Sequence, residues 1–178
     1  MFTLWQRAVK CGKKIVKPRL VTEILIADDS DDDVFLIRRA LEAAHIANPL
    51  RVVHDGEQVI AYLRGEPPYE NRGDFPVPGL LLLDLRMPRM DGFEVLAWVR
   101  QQPEWKNLPV AVLTSATDIW DVNRAFSLGA NSFMIKPMDF MRFAEFAQTL
   151  AGSWVWSGHV QEGTIESARP WAGERVAA

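Results

Sequence analysis

The stretch Leu80-Leu81-Leu82-Leu83-Asp84-Leu85-Arg86-Met87-Pro88-Arg89-Met90-Asp91-Gly92 decides the fold. Four consecutive leucines make a continuous apolar run, the pattern of a strand buried on both faces in a parallel sheet. The charge of Asp84 directly after that run is costly unless its carboxylate emerges at the strand end. Three other runs stop in the same way. They are Ile24-Leu25-Ile26-Ala27 before Asp28-Asp29, Val110-Ala111-Val112-Leu113 before Thr114-Ser115, and Phe133-Met134-Ile135 before Lys136-Pro137. Ligands of open parallel sheets bind outside the carboxyl ends of the strands. Four such strands side by side would gather three carboxylates, a hydroxyl and an ammonium at one edge, a set suited to metal-assisted phosphoryl chemistry.

A helix-like segment follows each run. Ser30 is placed to cap a helix through Phe35, Leu36, Arg39 and Leu41, with Asp31, Asp32 and Asp33 at its positive end. Leu50-Arg51-Val52-Val53 reads as a fifth, short strand, and Asp55-Gly56 opens a helix carrying Val59, Ile60 and Leu63. Asp91-Gly92 opens another with Phe93, Val95, Leu96 and Trp98. Residues 118–128 read as a helix that stops at Gly129, in the usual place for a left-handed cap. Asp139 starts a last helix with Phe140, Phe143, Phe146, Ala147, Leu150 and Trp154 on one stripe. Five strands alternating with five helices predict an α/β fold, a doubly wound parallel sheet with helices on both faces. Residues 65–79 interrupt the pattern with Pro67, Pro68, Gly73, Pro76, Pro78 and Gly79, a long connection for so compact a unit.

The chain of 178 residues fits one domain with tails. Residues 20–156 form the expected domain, between a basic arm (1–19) and a tail (157–178), both expected to be flexible. The arm holds six basic residues and no acid, while the remainder holds 14 basic against 23 acidic residues. An acidic body is not the footprint of a nucleic-acid binder, so no nucleic-acid partner is expected. The arm is a leader, or a contact for an anionic partner or membrane surface. No run approaches the roughly 18 apolar residues of a membrane span, and residues 1–20 lack the apolar stretch of a secretory signal. One cysteine, Cys11, leaves no internal disulfide. A cytoplasmic location is expected.

Asp28, Asp29 and Asp84 set the chemistry. Two carboxylates about 4 Å apart repel by about 4 kcal/mol at an effective dielectric of 20, so a positive group must offset them. Lys136 is one candidate and a divalent cation is the other; carboxylate and carbonyl oxygens suit Mg²⁺. Asp84 could then attack phosphorus as a covalent nucleophile, with Thr114 donating to a phosphoryl oxygen. A calcium loop through Asp29, Asp31 and Asp33 is rejected, because Val34 stands where that loop needs glycine and Ala40 where it needs glutamate. Asp31 and Asp32 read as a solvated helix start, and Asp33 as a neighbour of the cap. His45, His54 and His159 read as incidental.

The order Asp28-Asp29, Asp84, Thr114-Ser115, Lys136-Pro137, with its spacings and the turn Met87-Pro88-Arg89-Met90-Asp91-Gly92, resembles the receiver domain of two-component response regulators. The likeness covers about residues 23–150. The stretch from Asn71 to Pro78, residues 128–131 and the aromatics Trp154 and Trp156 further resemble single-domain regulators paired with phytochrome-type kinases. The resemblance implies a flavodoxin-like sheet of order 2-1-3-4-5, with Asp84 accepting a phosphoryl group from the phosphohistidine of a sensor histidine kinase. It implies Mg²⁺, with Mn²⁺ as a substitute, held by Asp28, Asp29, Asp84 and the Arg86 backbone carbonyl. It further implies that Lys136 pairs with the phosphoryl group through a cis bond to Pro137, and that Thr114 moves toward the phosphoryl group. Phe133, an aromatic switch without a hydroxyl, follows inward. Arg86 and Ala116 flank the phosphoryl group and tune its hydrolysis. Such a protein catalyses its own phosphorylation and dephosphorylation but turns over no external substrate.

Two rival readings differ in class. A Mg²⁺-dependent phosphatase of the haloacid dehalogenase kind wants a second aspartate two residues after the first, where this chain has Arg86. A docking module without phosphorylation has no need of the complete Asp28, Asp29, Asp84, Thr114 and Lys136 set. The aromatic end of the last helix, together with residues 65–79, is expected to form a homodimer contact.

Overall fold

A computed structural model describes residues 23–115 and 118–136, together with Glu145 and Ala147. Five strands, β1 (Glu23–Ala27), β2 (Leu50–Val53), β3 (Pro78–Leu83), β4 (Val110–Thr114) and β5 (Ser132–Ile135), form one parallel sheet. Their order is β2-β1-β3-β4-β5, as expected. Helices α1 (Asp31–Ala43), α2 (Gly56–Arg64), α3 (Gly92–Gln101) and α4 (Ile119–Ser127) alternate with them. The expected helix from Asp139, the cis bond at Pro137, the basic arm and the aromatic end of the chain lie outside the described residues.

The period-two geometry of a strand sorts its side chains onto two faces. Leu25, Ala27, Leu81, Leu83, Val110 and Val112 pack with Val59 and Tyr62 of α2, Phe93 and Leu96 of α3, and Ala125 of α4. Ile24, Ile26, Leu80, Leu82, Ala111 and Leu113 pack with Val34, Ile37 and Leu41 of α1 and with Ala147. Both faces are thus covered, which is why these strands read as unbroken apolar runs.

Local sequence sets the helix starts. The hydroxyl of Ser30 accepts from the Asp33 N–H, and the carboxylate of Asp55 accepts from the Gln58 N–H at 2.8 Å. Asp91 and Glu94 close a reciprocal capping box on α3. Gly129 follows α4 with φ +94, in the left-handed region that favours glycine.

The connection at 65–77 has a packed interior of its own. Tyr62, Tyr69 and Phe75 form a ring cluster with centroids 5.1–6.1 Å apart. The Arg72 guanidinium donates to the carbonyls of Tyr62, Leu63 and Phe75, tying the loop to the end of α2. The Pro67–Pro68 bond within it is cis.

Candidate functional site: the carboxyl edge of the sheet

Register brings the polar strand ends together. Ala27 pairs with both Val53 and Leu83, so the residues after them become neighbours. The Asp28 N–H donates to the Val53 carbonyl at 3.0 Å, and the Asp84 N–H to the Ala27 carbonyl at 2.9 Å. On the other side the Lys136 N–H donates to the Thr114 carbonyl at 2.7 Å. Asp28, Asp84 and Thr114 are buried, while Asp29 is exposed.

Lys136 is the centre of charge. Its Nζ lies 2.7 Å from Asp84 Oδ2, 2.8 Å from Asp28 Oδ2 and 2.8 Å from Asp33 Oδ2. Burial alone would lower its pKa, but the ion pairs with Asp28, Asp33 and Asp84 raise it above the ordinary lysine value. Burial raises the carboxyl of Asp28 above its ordinary value, against the opposing pull of Lys136 and of the Ser30 N–H, while the charge of Asp84 raises it further. Carboxylates outnumber the cation at this edge, so a further positive charge has a place here.

The donor set fits a hard divalent cation. Asp28, Asp29 and Asp84 each offer a carboxylate oxygen, and these atoms all lie within 4.8 Å of one another. Oxygen donors of this kind, in small number and partly open to water, suit Mg²⁺ or Mn²⁺.

The remaining expected residues fall around this centre. The Arg86 backbone N–H donates to Asp84 Oδ1 at 3.2 Å, while its guanidinium reaches Asp121 Oδ2 in α4 at 2.6 Å. Phe133 is half-buried against the core, its ring centroid 6.5 Å from that of Phe126.

Three features of the site differ from the expectation or go beyond it. Asp33 is more than a neighbour of the cap, because its carboxylate is a partner of Lys136. Its place in the first turn of α1 gave no distinguishing signal, since Asp31 and Asp32 share that turn. His54, read as incidental, stands beside the site, its Nδ1 3.0 Å from the Asp28 backbone oxygen. Beside the loop that follows Asp84, the buried carboxylate of Asp55 takes a hydrogen bond from Arg89, whose φ of +66 is left-handed. Nothing in the local pattern marks Arg89 for that conformation.

A three-layered α/β fold with this acidic edge and its lysine defines a receiver. Residues 24–148 match the family model for the response regulator receiver domain, and the chain belongs to that family. It is 34% identical over 132 residues to response regulator Rcp1 of Synechocystis sp., covering 74% of this chain and 88% of that protein. The crystal structure of the Mn(2+)-bound form of Rcp1 superposes with a TM-score of 0.69 at 32% identity, covering 76% of this chain and 96% of the other. The phosphorylated cyanobacterial phytochrome response regulator RcpA gives a TM-score of 0.68 at 29% identity, over 82% and 99% of the two chains. RPA3017, a response regulator in red light signaling of R. palustris, gives 0.71 at 34% identity, over 75% and 93%.

Proposed function

We propose that Asp84 is the phosphoacceptor of a two-component phosphorelay and that a sensor histidine kinase, of the phytochrome-like kind, is its donor. The observation that carries this reading is the contact of the Lys136 ammonium with Asp84 Oδ2, inside an edge of three carboxylates. A carboxylate oxygen of Asp84 attacks the phosphorus of a phosphohistidine. The P–N bond breaks, the imidazole leaves, and an acyl phosphate forms on Asp84. Lys136 offsets the charge of the transferred group. Hydrolysis reverses the state: water attacks phosphorus, the bond to the Asp84 oxygen breaks, and inorganic phosphate leaves.

Asp28, Asp29 and Asp84, with the backbone carbonyl of Arg86, would hold Mg²⁺ or Mn²⁺. When bound, such a cation neutralises phosphoryl oxygens during transfer. Thr114 ends β4 at this edge and donates to a phosphoryl oxygen, and Phe133 repacks as Thr114 moves. Phosphorylation thereby biases a two-state equilibrium read by a partner protein or passed on by further phosphotransfer. The receiver unit is assigned to residues 20–156, acting in the cytoplasm without nucleic acid and forming a homodimer through the last helix. Sedimentation should then give a dimer at micromolar concentration.

Incubation with Mg²⁺ and acetyl phosphate, followed by intact mass measurement, tests the acceptor. One labile phosphoryl group is expected, not taken up when the metal is chelated beforehand and absent in Asp84→Asn. An equal gain in that variant would overturn the assignment. Rapid turnover of many phosphomonoesters would favour the phosphatase reading, against which Arg86 stands at the position where that chemistry needs an acid.

A further inference from the structure

Arg86 has two engaged ends. Its backbone N–H donates to the Asp84 carboxylate, and its guanidinium donates to Asp121 in the first turn of α4. The side chain of Asp121 is 14% exposed and that of Arg86 61%. The carboxylate is therefore the fixed partner and the guanidinium the mobile one. Helix α4 itself is lightly held, since Ala125 is its one buried residue among those described. Ile119 and Trp120 beside Asp121 are exposed. The Arg86–Asp121 pair thus joins the Asp118 cap in holding the start of α4, and it links that start to the segment that follows Asp84.

We propose that Asp121 is a positioning residue that holds the Arg86 guanidinium away from the acceptor, so that the phosphoryl group on Asp84 and the carboxylate of Asp121 compete for one cation. The inference rests on Asp84 being the phosphoacceptor. An exposed ion pair of this kind is weak, and a phosphoryl group offers more negative charge and a geometry that suits the guanidinium fork. Phosphorylation then draws Arg86 from α4 and releases the helix start. Linkage makes the effect reciprocal. A chain lacking the Asp121 carboxylate leaves Arg86 free to lie across the phosphoryl oxygens, where it shields phosphorus from water and slows hydrolysis.

The test measures loss of the phosphoryl group after loading with acetyl phosphate and Mg²⁺ and removal of the donor. Asp121→Asn should lengthen the phosphoryl half-life by about two- to fivefold, the most that releasing an exposed ion pair can contribute. Asp121→Glu, which keeps the carboxylate, should restore the parent value. In an Arg86→Gln background, Asp121→Asn should have no effect, which a merely structural role of Asp121 would not produce. An unchanged or shortened half-life in Asp121→Asn, or an equal change in the Arg86→Gln background, overturns the proposal while leaving the acceptor assignment standing. A parent protein that takes up no phosphoryl group discards both.

Discussion

Lys136 Nζ lies 2.7 Å from Asp84 Oδ2, and both side chains are almost fully buried. The same ammonium also touches Asp28, a second member of the carboxylate trio. Lysine and a divalent cation therefore share ligands, and each weakens the hold of the other. Lys136→Met should bind Mg²⁺ about tenfold more tightly, because two buried carboxylates lose their counter-charge. It should nonetheless phosphorylate about a hundredfold more slowly, the usual scale for losing one electrostatic stabiliser of a developing charge. Calorimetric Mg²⁺ titration and the rate of phosphoryl uptake check the two halves, and weaker metal binding in the variant would contradict the shared-ligand account.

The raised pKa of Asp28 makes a prediction about pH. Its folded pKa lies above the ordinary value of 3.8, with burial as the main cause. The folded state therefore binds more protons than the unfolded state between those two values, and the contribution of Asp28 to stability falls as pH rises through that window. Lys136 acts with the same sign in a higher pH window. Its raised pKa contributes stability that is fully present below 10.5 and is lost as pH rises through the folded value. In metal-free buffer, Asp28→Asn should be more stable than the parent at neutral pH, with the advantage shrinking as pH falls toward 4. Denaturant unfolding across that range checks it; a constant difference between the two proteins would remove Asp28 as the cause.

The strands were legible because burial on both faces leaves no polar alternation to confuse the pattern, whereas their order followed only from the resemblance to receiver domains. The residues at the strand ends were legible because a charge after an apolar run has few places to go. Asp33 was not, since three aspartates at a helix start also satisfy the helix dipole, and only a contact 103 residues away distinguishes one of them. The guanidinium of Arg86 was equally hidden, because reaching Asp121 depends on how the start of α4 sits beside the loop that follows β3. The Pro- and Gly-rich composition of residues 65–79 concealed the packed rings of Tyr69 and Phe75, whose partner Tyr62 belongs to the preceding helix.

Asp55 and Arg89 should differ in cost when replaced. The Asp55 carboxylate caps α2 through the Gln58 N–H, accepts from the Gln58 side chain at 2.6 Å and accepts from Arg89. Arg89→Ala removes one charge-assisted bond from a buried carboxylate and should cost about 1–3 kcal/mol. Asp55→Ala loses the cap as well and should cost about 1 kcal/mol more. Arg89→Gly loses the same bond but relieves a left-handed backbone, so it should fall about 1 kcal/mol short of the alanine variant's loss. Thermal or urea unfolding orders the three, and a glycine variant less stable than the alanine one would refute the backbone part of the argument.

Gly92 ties the segment carrying Asp84, the proposed acceptor, to α3 by close approach. Its N–H donates to the Leu85 carbonyl at 3.1 Å, and a Cβ added there would overlap the Asp84 carbonyl oxygen and come within 2.7 Å of Leu85 Cα. These neighbours are backbone atoms, which cannot turn aside as a side chain can, so Gly92→Ala must move either α3 or the segment carrying Asp84. Overpacking of this kind costs about 1–3 kcal/mol. The distinctive outcome is kinetic: a shift of about 1 Å at a reacting group costs on the order of a hundredfold in rate. Gly92→Ala should therefore lose phosphoryl uptake from acetyl phosphate far beyond its loss of folded population at the same temperature. Gly73, whose added Cβ would meet only the Asn71 side chain at 3.2 Å, supplies the control, and Gly73→Ala should leave uptake unchanged. Equal uptake by the Gly92 variant and the parent, measured where both are folded, would show that α3 yields instead and that the acceptor loop is not held by this contact.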